Sequence, residues 1–97
     1  MIKYKYKENE LINELQEYIN KTYSEHYSTG DIQPIDVIID SGYGTGFCMG
    51  NITKYLNRYG HKGDPSEHRK DLMKILHYTL LQLYVHDKKT DSTLIKN

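Results

Sequence analysis

Asn51, Lys54 and Arg58 follow one another at intervals of three and four residues, with His61 and Lys62 just beyond them. On a helix this spacing stacks an amide, an ammonium and a guanidinium along one face. A lysine and an arginine one turn apart can grip a phosphate, the first as a point charge and the second as a planar fork. The same residues would serve equally well as a solvated charged face, or as partners of Glu67 and Asp71 across a helical hairpin.

The acidic residues form two similar sets. Asp36 with Asp40, and Glu67 with Asp71, are each spaced i, i+4. Two helices that each present such a pair can hold Mg²⁺ through carboxylate oxygens, as in all-helical nucleotide pyrophosphohydrolases, where the metal holds the phosphates. In a chain with 13 acidic residues, such pairs also arise on ordinary solvated faces. Asp36, Asp40, Glu67 and Asp71 are therefore candidate metal ligands, with Mg²⁺ called for only if the protein is an enzyme.

Other chemistries lack their signatures. Histidines 26, 61, 68, 77 and 86 show neither H-x-x-x-H nor H-E-x-x-H spacing, and no G-x-S-x-G nucleophile motif occurs. The single Cys48 has no C-x-x-C partner, excludes an intramolecular disulfide and is expected to pack against a neighbouring helix. Thirteen basic and 13 acidic residues leave a net charge of zero, so there is no global positive field to hold an extended nucleic acid. Any anion site must be local. No apolar run has the length of a signal segment or a membrane span, which with the lone cysteine points to a reducing cytoplasm and away from a membrane.

Gly42, Gly44, Gly46 and Gly50 crowd into nine positions, spaced G-x-G-x-G-x-x-x-G. This is neither the G-x-G-x-x-G of a dinucleotide fold nor the G-x-x-x-x-G-K-[ST] of a phosphate loop. Such a loop would also require Ile35–Asp40 to be a strand. Its β-branched content favours a strand, whereas Pro34 and the spacing of Ile35, Ile38 and Ile39 favour a short helix.

The elements that must position these residues read as helices. An arm over 1–7 alternates tyrosine and lysine. A helix over 8–23 carries Leu11, Ile12, Leu15, Tyr18, Ile19 and Thr22 on one face. A short helix is assigned to 32–41, and a helix over 47–59 has the stripe Cys48, Ile52, Tyr55, Leu56 and Tyr59, ending at Gly60. The last helix, 65–86, has Leu72, Met73, Leu76, Leu80 and Leu83 as its apolar stripe and Glu67, Asp71, Lys74 and Tyr78 on a neighbouring polar face. Residues 87–97 read as a flexible tail. The expected fold is a single all-α domain over 1–97, with three to four helices and a C-terminal antiparallel helical hairpin. Ten tyrosines and a small core in 97 residues suggest a homo-oligomer.

Three blocks carry a resemblance: H-Y-S-T-G-D-I-Q-P-I-D-V-I (His26–Ile38), G-F-C-M-G-N-I-T-K-Y-L-N-R-Y-G-H-K-G (Gly46–Gly63) and K-D-L-M-K-I-L-H-Y-T-L-L-Q-L (Lys70–Leu83). Their order and spacing resemble a small phage-encoded family of otherwise unknown function that includes a nucleotide kinase acting on deoxynucleoside monophosphates without a Walker A loop. The resemblance implies a helical fold and nucleotide handling. The positions that match include His26, Tyr27, Gly30, Pro34, Asp36, Gly50, Asn51, Lys54, Tyr55, Arg58, Gly60, Lys62, Asp71, Leu72, Lys74 and Tyr78. Within the motif, Gly50 is expected to let two helices approach closely. Lys70 departs from the family pattern, which has an acidic residue there, and Ile75 replaces an alanine.

The resulting expectation is a nucleotide-binding protein that sequesters a nucleotide or nucleotide-derived signal without turnover, a counter-defence role in the cytoplasm of an infected cell. Asn51, Lys54, Arg58, Lys62, His26, Tyr27, Tyr55 and Tyr78 are the candidate ligand and phosphate contacts, and no cofactor is required for binding. The alternatives are a nucleoside monophosphate kinase or Mg²⁺-dependent nucleotide hydrolase, and a protein-binding inhibitor of a host factor that uses its tyrosine-rich surface.

Overall fold

A computed structural model of the chain describes residues 1–26 and 34–88. Within them lie four helices: α1 (Glu8–His26), α2 (Pro34–Asp40), α3 (Gly44–Arg58) and α4 (Pro65–Lys88). The domain is all-α, and α3 and α4 pack closely as a hairpin-like pair. Tyr27, Gly30 and the tail from residue 89 onward lie outside the described residues. No helix among those described is long and apolar enough to cross a membrane.

The chain divides into two compact units, Met1–Asp31 and Ile32–Asn97. In the first, residues 1–7 are exposed and contain no strand, despite their period-two pattern. Lys7 adopts a left-handed φ of 59°, and its carbonyl accepts the first turn's hydrogen bond from Leu11 N–H at 2.9 Å. Along α1 the side chains of Leu15, Tyr18, Ile19 and Thr22 are half-buried, while Leu11 and Ile12 are exposed.

In the second unit, Ile35–Asp40 is helical. The carbonyls that end α2 are satisfied by a paired turn: Gly42 N–H donates to Ile39 at 3.0 Å and Tyr43 N–H to Ile38 at 3.0 Å. That geometry needs a left-handed residue, and Gly42 has φ 87°. The glycine run thus begins as a helix stop, and α3 starts directly after it, three residues earlier than periodicity predicts.

The core is compact and mixed. Ile39 of α2, Cys48 of α3 and Val85 of α4 meet at its centre, with Ile35, Phe47 and Leu81 packed against them. Asp64 caps α4: its Oδ1 accepts from Ser66 N–H at 3.0 Å, Glu67 N–H at 3.1 Å and the Ser66 hydroxyl at 2.6 Å, with Pro65 in the first turn.

Two expectations need correction. Most of the apolar stripe of α4 lies outside the core: Leu72, Leu76, Leu80 and Leu83 are exposed, and of the stripe only Met73 is buried, alongside Asp71 and Val85 from other faces. The face that meets α3 is the polar one, carrying Asp71, Lys74, Tyr78 and Gln82. Gly50 is not a point of close approach either, because a Cβ built there meets nothing within 4 Å.

Candidate functional site

The α3–α4 contact gathers residues from the second and third motif blocks. Arg58, at the last turn of α3, reaches α4 and places Nε 3.4 Å from Asp71 Oδ1. Asp71 is only 2% exposed, the buried charged residue among those described. Neither Arg58 Nε nor Asp71 Oδ2 has a hydrogen-bond partner, so the pair is held by charge at close range with one carboxylate oxygen left over. Nearby on α4, His68 meets the Tyr59 ring edge-on at 6.2 Å, and its buried Nε2 is also without a partner.

One to four turns along, the interface becomes aromatic and cationic. Tyr55 of α3 is buried and lies nearly parallel to Tyr78 of α4, with ring centroids 6.2 Å apart and an interplanar angle of 16°. Phe47 meets Tyr78 edge-on at 6.0 Å. Two ammonium groups converge on Tyr55. Lys54 Nζ stands 5.1 Å and Lys74 Nζ 4.9 Å from its ring centroid, and Lys74 Nζ donates to the Tyr55 hydroxyl at 3.4 Å. Among the described residues, neither ammonium has a carboxylate within ion-pairing distance. Farther along, Gln82 Nε2 donates to Thr45 Oγ1 at 3.0 Å, tying the two helices together again.

The structure brings Lys54, Tyr55, Arg58, Asp71 and Tyr78 into this one interface. Asn51 is half-buried there, but its side-chain amide donates back to Phe47 O at 2.9 Å, so that donor serves its own helix. Lys62 is exposed in the loop that follows α3, and its backbone N–H donates to Arg58 O at 3.2 Å. His26 is the last residue of α1, in the other unit, and Tyr27 lies outside the described residues. Sequence reasoning did not single out Lys74 as a ligand contact. The signal was present in its spacing, three residues after Asp71 and four before Tyr78 on the same stripe.

The acidic pairs separate. Asp71 belongs to the α3–α4 interface, whereas Glu67 is exposed in the first turn of α4 and packs against Gly63. Asp36 and Asp40 line an open cleft of about 340 Å³ with Ile39, Tyr84 and Lys88, and Asp40 Oδ1 is 3.7 Å from Lys88 Nζ. Among the described residues no three His, Cys, Asp or Glu side chains gather as a metal site would require.

One protonation equilibrium is altered beside the aromatic cluster. Partial burial pushes the His77 imidazole below its ordinary value of 6.5, because the charged form loses hydration there. His77 lies next to Tyr78, with ring centroids 6.4 Å apart.

No curated protein and no solved structure matches the chain. Residues 19–79 match a family described as a protein of unknown function, DUF3310, which is phage-associated. The matched stretch takes in the first two motif blocks whole and the third as far as Thr79, and so contains Lys54, Tyr55, Arg58, Asp71, Lys74 and Tyr78 together; the chain belongs to the DUF3310 family.

Proposed function

We propose that this protein binds a nucleotide or nucleotide-derived signal at the α3–α4 face and holds it without turnover. The observation that carries the reading is the convergence of Lys54 and Lys74, from different helices, on the Tyr55 ring that stacks with Tyr78. An anion within reach of both ammonium groups would be attracted by each. Paired cations beside an aromatic cluster suit the phosphate of a nucleotide. Arg58 is occupied by Asp71, so in this reading it shapes the site while Lys54 and Lys74 supply the charge. Retention of such a signal would act against a host defence that depends on it.

The test is mass spectrometry of small molecules released on denaturing the purified protein, followed by incubation of any nucleotide found with fresh protein, with and without Mg²⁺. Recovery of the intact nucleotide in both conditions supports sequestration. Conversion to a new product only with Mg²⁺ would replace it with the kinase or hydrolase reading, for which the buried Asp71 with its unpartnered Oδ2 is the residue to mutate first.

A further inference from the structure

The exposed leucines of α4 form a surface with an order of its own. Leu72, Leu76, Leu80 and Leu83 are 40, 46, 42 and 55% exposed, and Tyr84 beside them is 54% exposed. They lie on the side of α4 away from Asp71, Lys74 and Tyr78, which face α3. Arg69, Met73, Leu76, Leu80, Leu83 and Asp87 are spaced by four, three, four, three and four residues, the a/d spacing of a coiled-coil seam. Met73 is already buried within the protomer, so the open part of the seam is Leu76, Leu80 and Leu83, flanked by Leu72 and Tyr84.

We propose that this face is a homodimer interface in which α4 packs antiparallel against α4 of a second copy. The seam is self-complementary about its midpoint. An antiparallel register that sets Leu76 against Leu80 of the other copy also sets Arg69 against Asp87, and brings Leu83 over the position of Met73, which stays buried in its own protomer. A two-fold interface requires this reciprocity, each residue meeting its counterpart twice. A parallel pairing would instead oppose arginine to arginine at one end and aspartate to aspartate at the other. The terminal charges therefore select the antiparallel arrangement, and the leucines between them supply the apolar area. The seam spans about 27 Å, at about 1.5 Å per residue. A second copy is the occupant whose charge and apolar pattern the face already specifies.

Light scattering coupled to size exclusion on the full chain, at micromolar concentrations, tests this. The wild type is expected at twice the monomer mass, and Leu76→Glu/Leu80→Glu at the monomer mass with unchanged helical circular dichroism. Arg69 also has a contact within its own chain, so the charge exchange is the sharper arm. Arg69→Asp and Asp87→Arg are each expected to weaken the dimer about tenfold, and the two together to restore it to within about threefold. If the glutamates unfold the chain, the exchange still reads the seam in folded protein. A monomeric wild type, an assembly whose mass survives the two glutamates, or charge reversals that the exchange does not rescue would each overturn the proposal.

Discussion

Arg58 and Asp71 form an ion pair across the α3–α4 interface, with 3.4 Å between Nε and Oδ1, in which the carboxylate is almost wholly buried while the arginine side chain keeps about a third of its surface in solvent. The asymmetry decides how each partner can be removed. Arg58→Ala leaves a buried charge without a counterion and should cost about 3 kcal/mol in urea denaturation. Asp71→Asn leaves only a solvent-reaching cation and should cost about 1–2 kcal/mol. Arg58→Met with Asp71→Leu removes both charges and should recover most of the loss.

Gly46 and Gly50 lie inside α3 with open space where a Cβ would stand. Glycine in a helix interior costs about 0.5–1 kcal/mol relative to alanine because it surrenders more backbone entropy on folding. Gly50→Ala should therefore stabilise the protein by about that amount, read as a higher urea midpoint with unchanged slope. Gly63→Ala should do the opposite: its φ is +79°, and an added Cβ runs into the Glu67 side chain.

Acid should weaken the fold through two groups. His77 has its folded-state pKa lowered by burial, so the unfolded chain takes up the proton first. Its stabilising contribution is complete above about pH 6.5, the ordinary value, and is lost as the pH falls from there through the lowered folded value. His77→Gln should flatten that limb of a stability–pH curve.

Asp64 acts at lower pH. The Ser66 hydroxyl, followed by the Glu67 backbone N–H, holds its carboxyl below the ordinary 3.8. Its contribution is present above that value and disappears as the pH falls through the lowered one. Asp64→Asn keeps a capping oxygen and should remove the titration, whereas Asp64→Ala should lower the melting temperature at neutral pH as well.

Periodicity located α1, α3 and α4, because each carries enough apolar residues at 3.6-residue spacing to be seen without a partner. It could not decide which stripe of α4 faces α3. The leucines are the more apolar set and the natural choice for the face toward α3, yet the stripe that meets α3 is the one carrying Asp71, Lys74 and Tyr78, which contact Arg58 and Tyr55 across the hairpin. That choice depends on charges and rings contributed by two helices, which a single helix's pattern does not contain. Ile35–Asp40 was ambiguous for a related reason: a seven-residue element is too short for period alone to separate helix from strand, and the hydrogen-bonded stop at Gly42 is visible only in three dimensions. The pairing of Arg58 with Asp71 was foreseeable from charge and spacing as one of several options. The meeting of Lys54 and Lys74 at one ring was not, since it requires the register between α3 and α4.

The central claim is that Lys54 and Lys74 form a nucleotide site around Tyr55, and titration calorimetry tests it most directly. A panel of nucleoside mono-, di- and cyclic phosphates, with the matching nucleosides and inorganic phosphate as controls, would be titrated into wild-type protein, Lys54→Ala and Lys74→Ala, each with and without Mg²⁺. Binding of at least one nucleotide, indifferent to Mg²⁺ and weakened about tenfold by either substitution, is the predicted result, that factor being the weight of one charge-assisted hydrogen bond. No heat from any nucleotide, or affinity that both alanine variants retain in full, would contradict it.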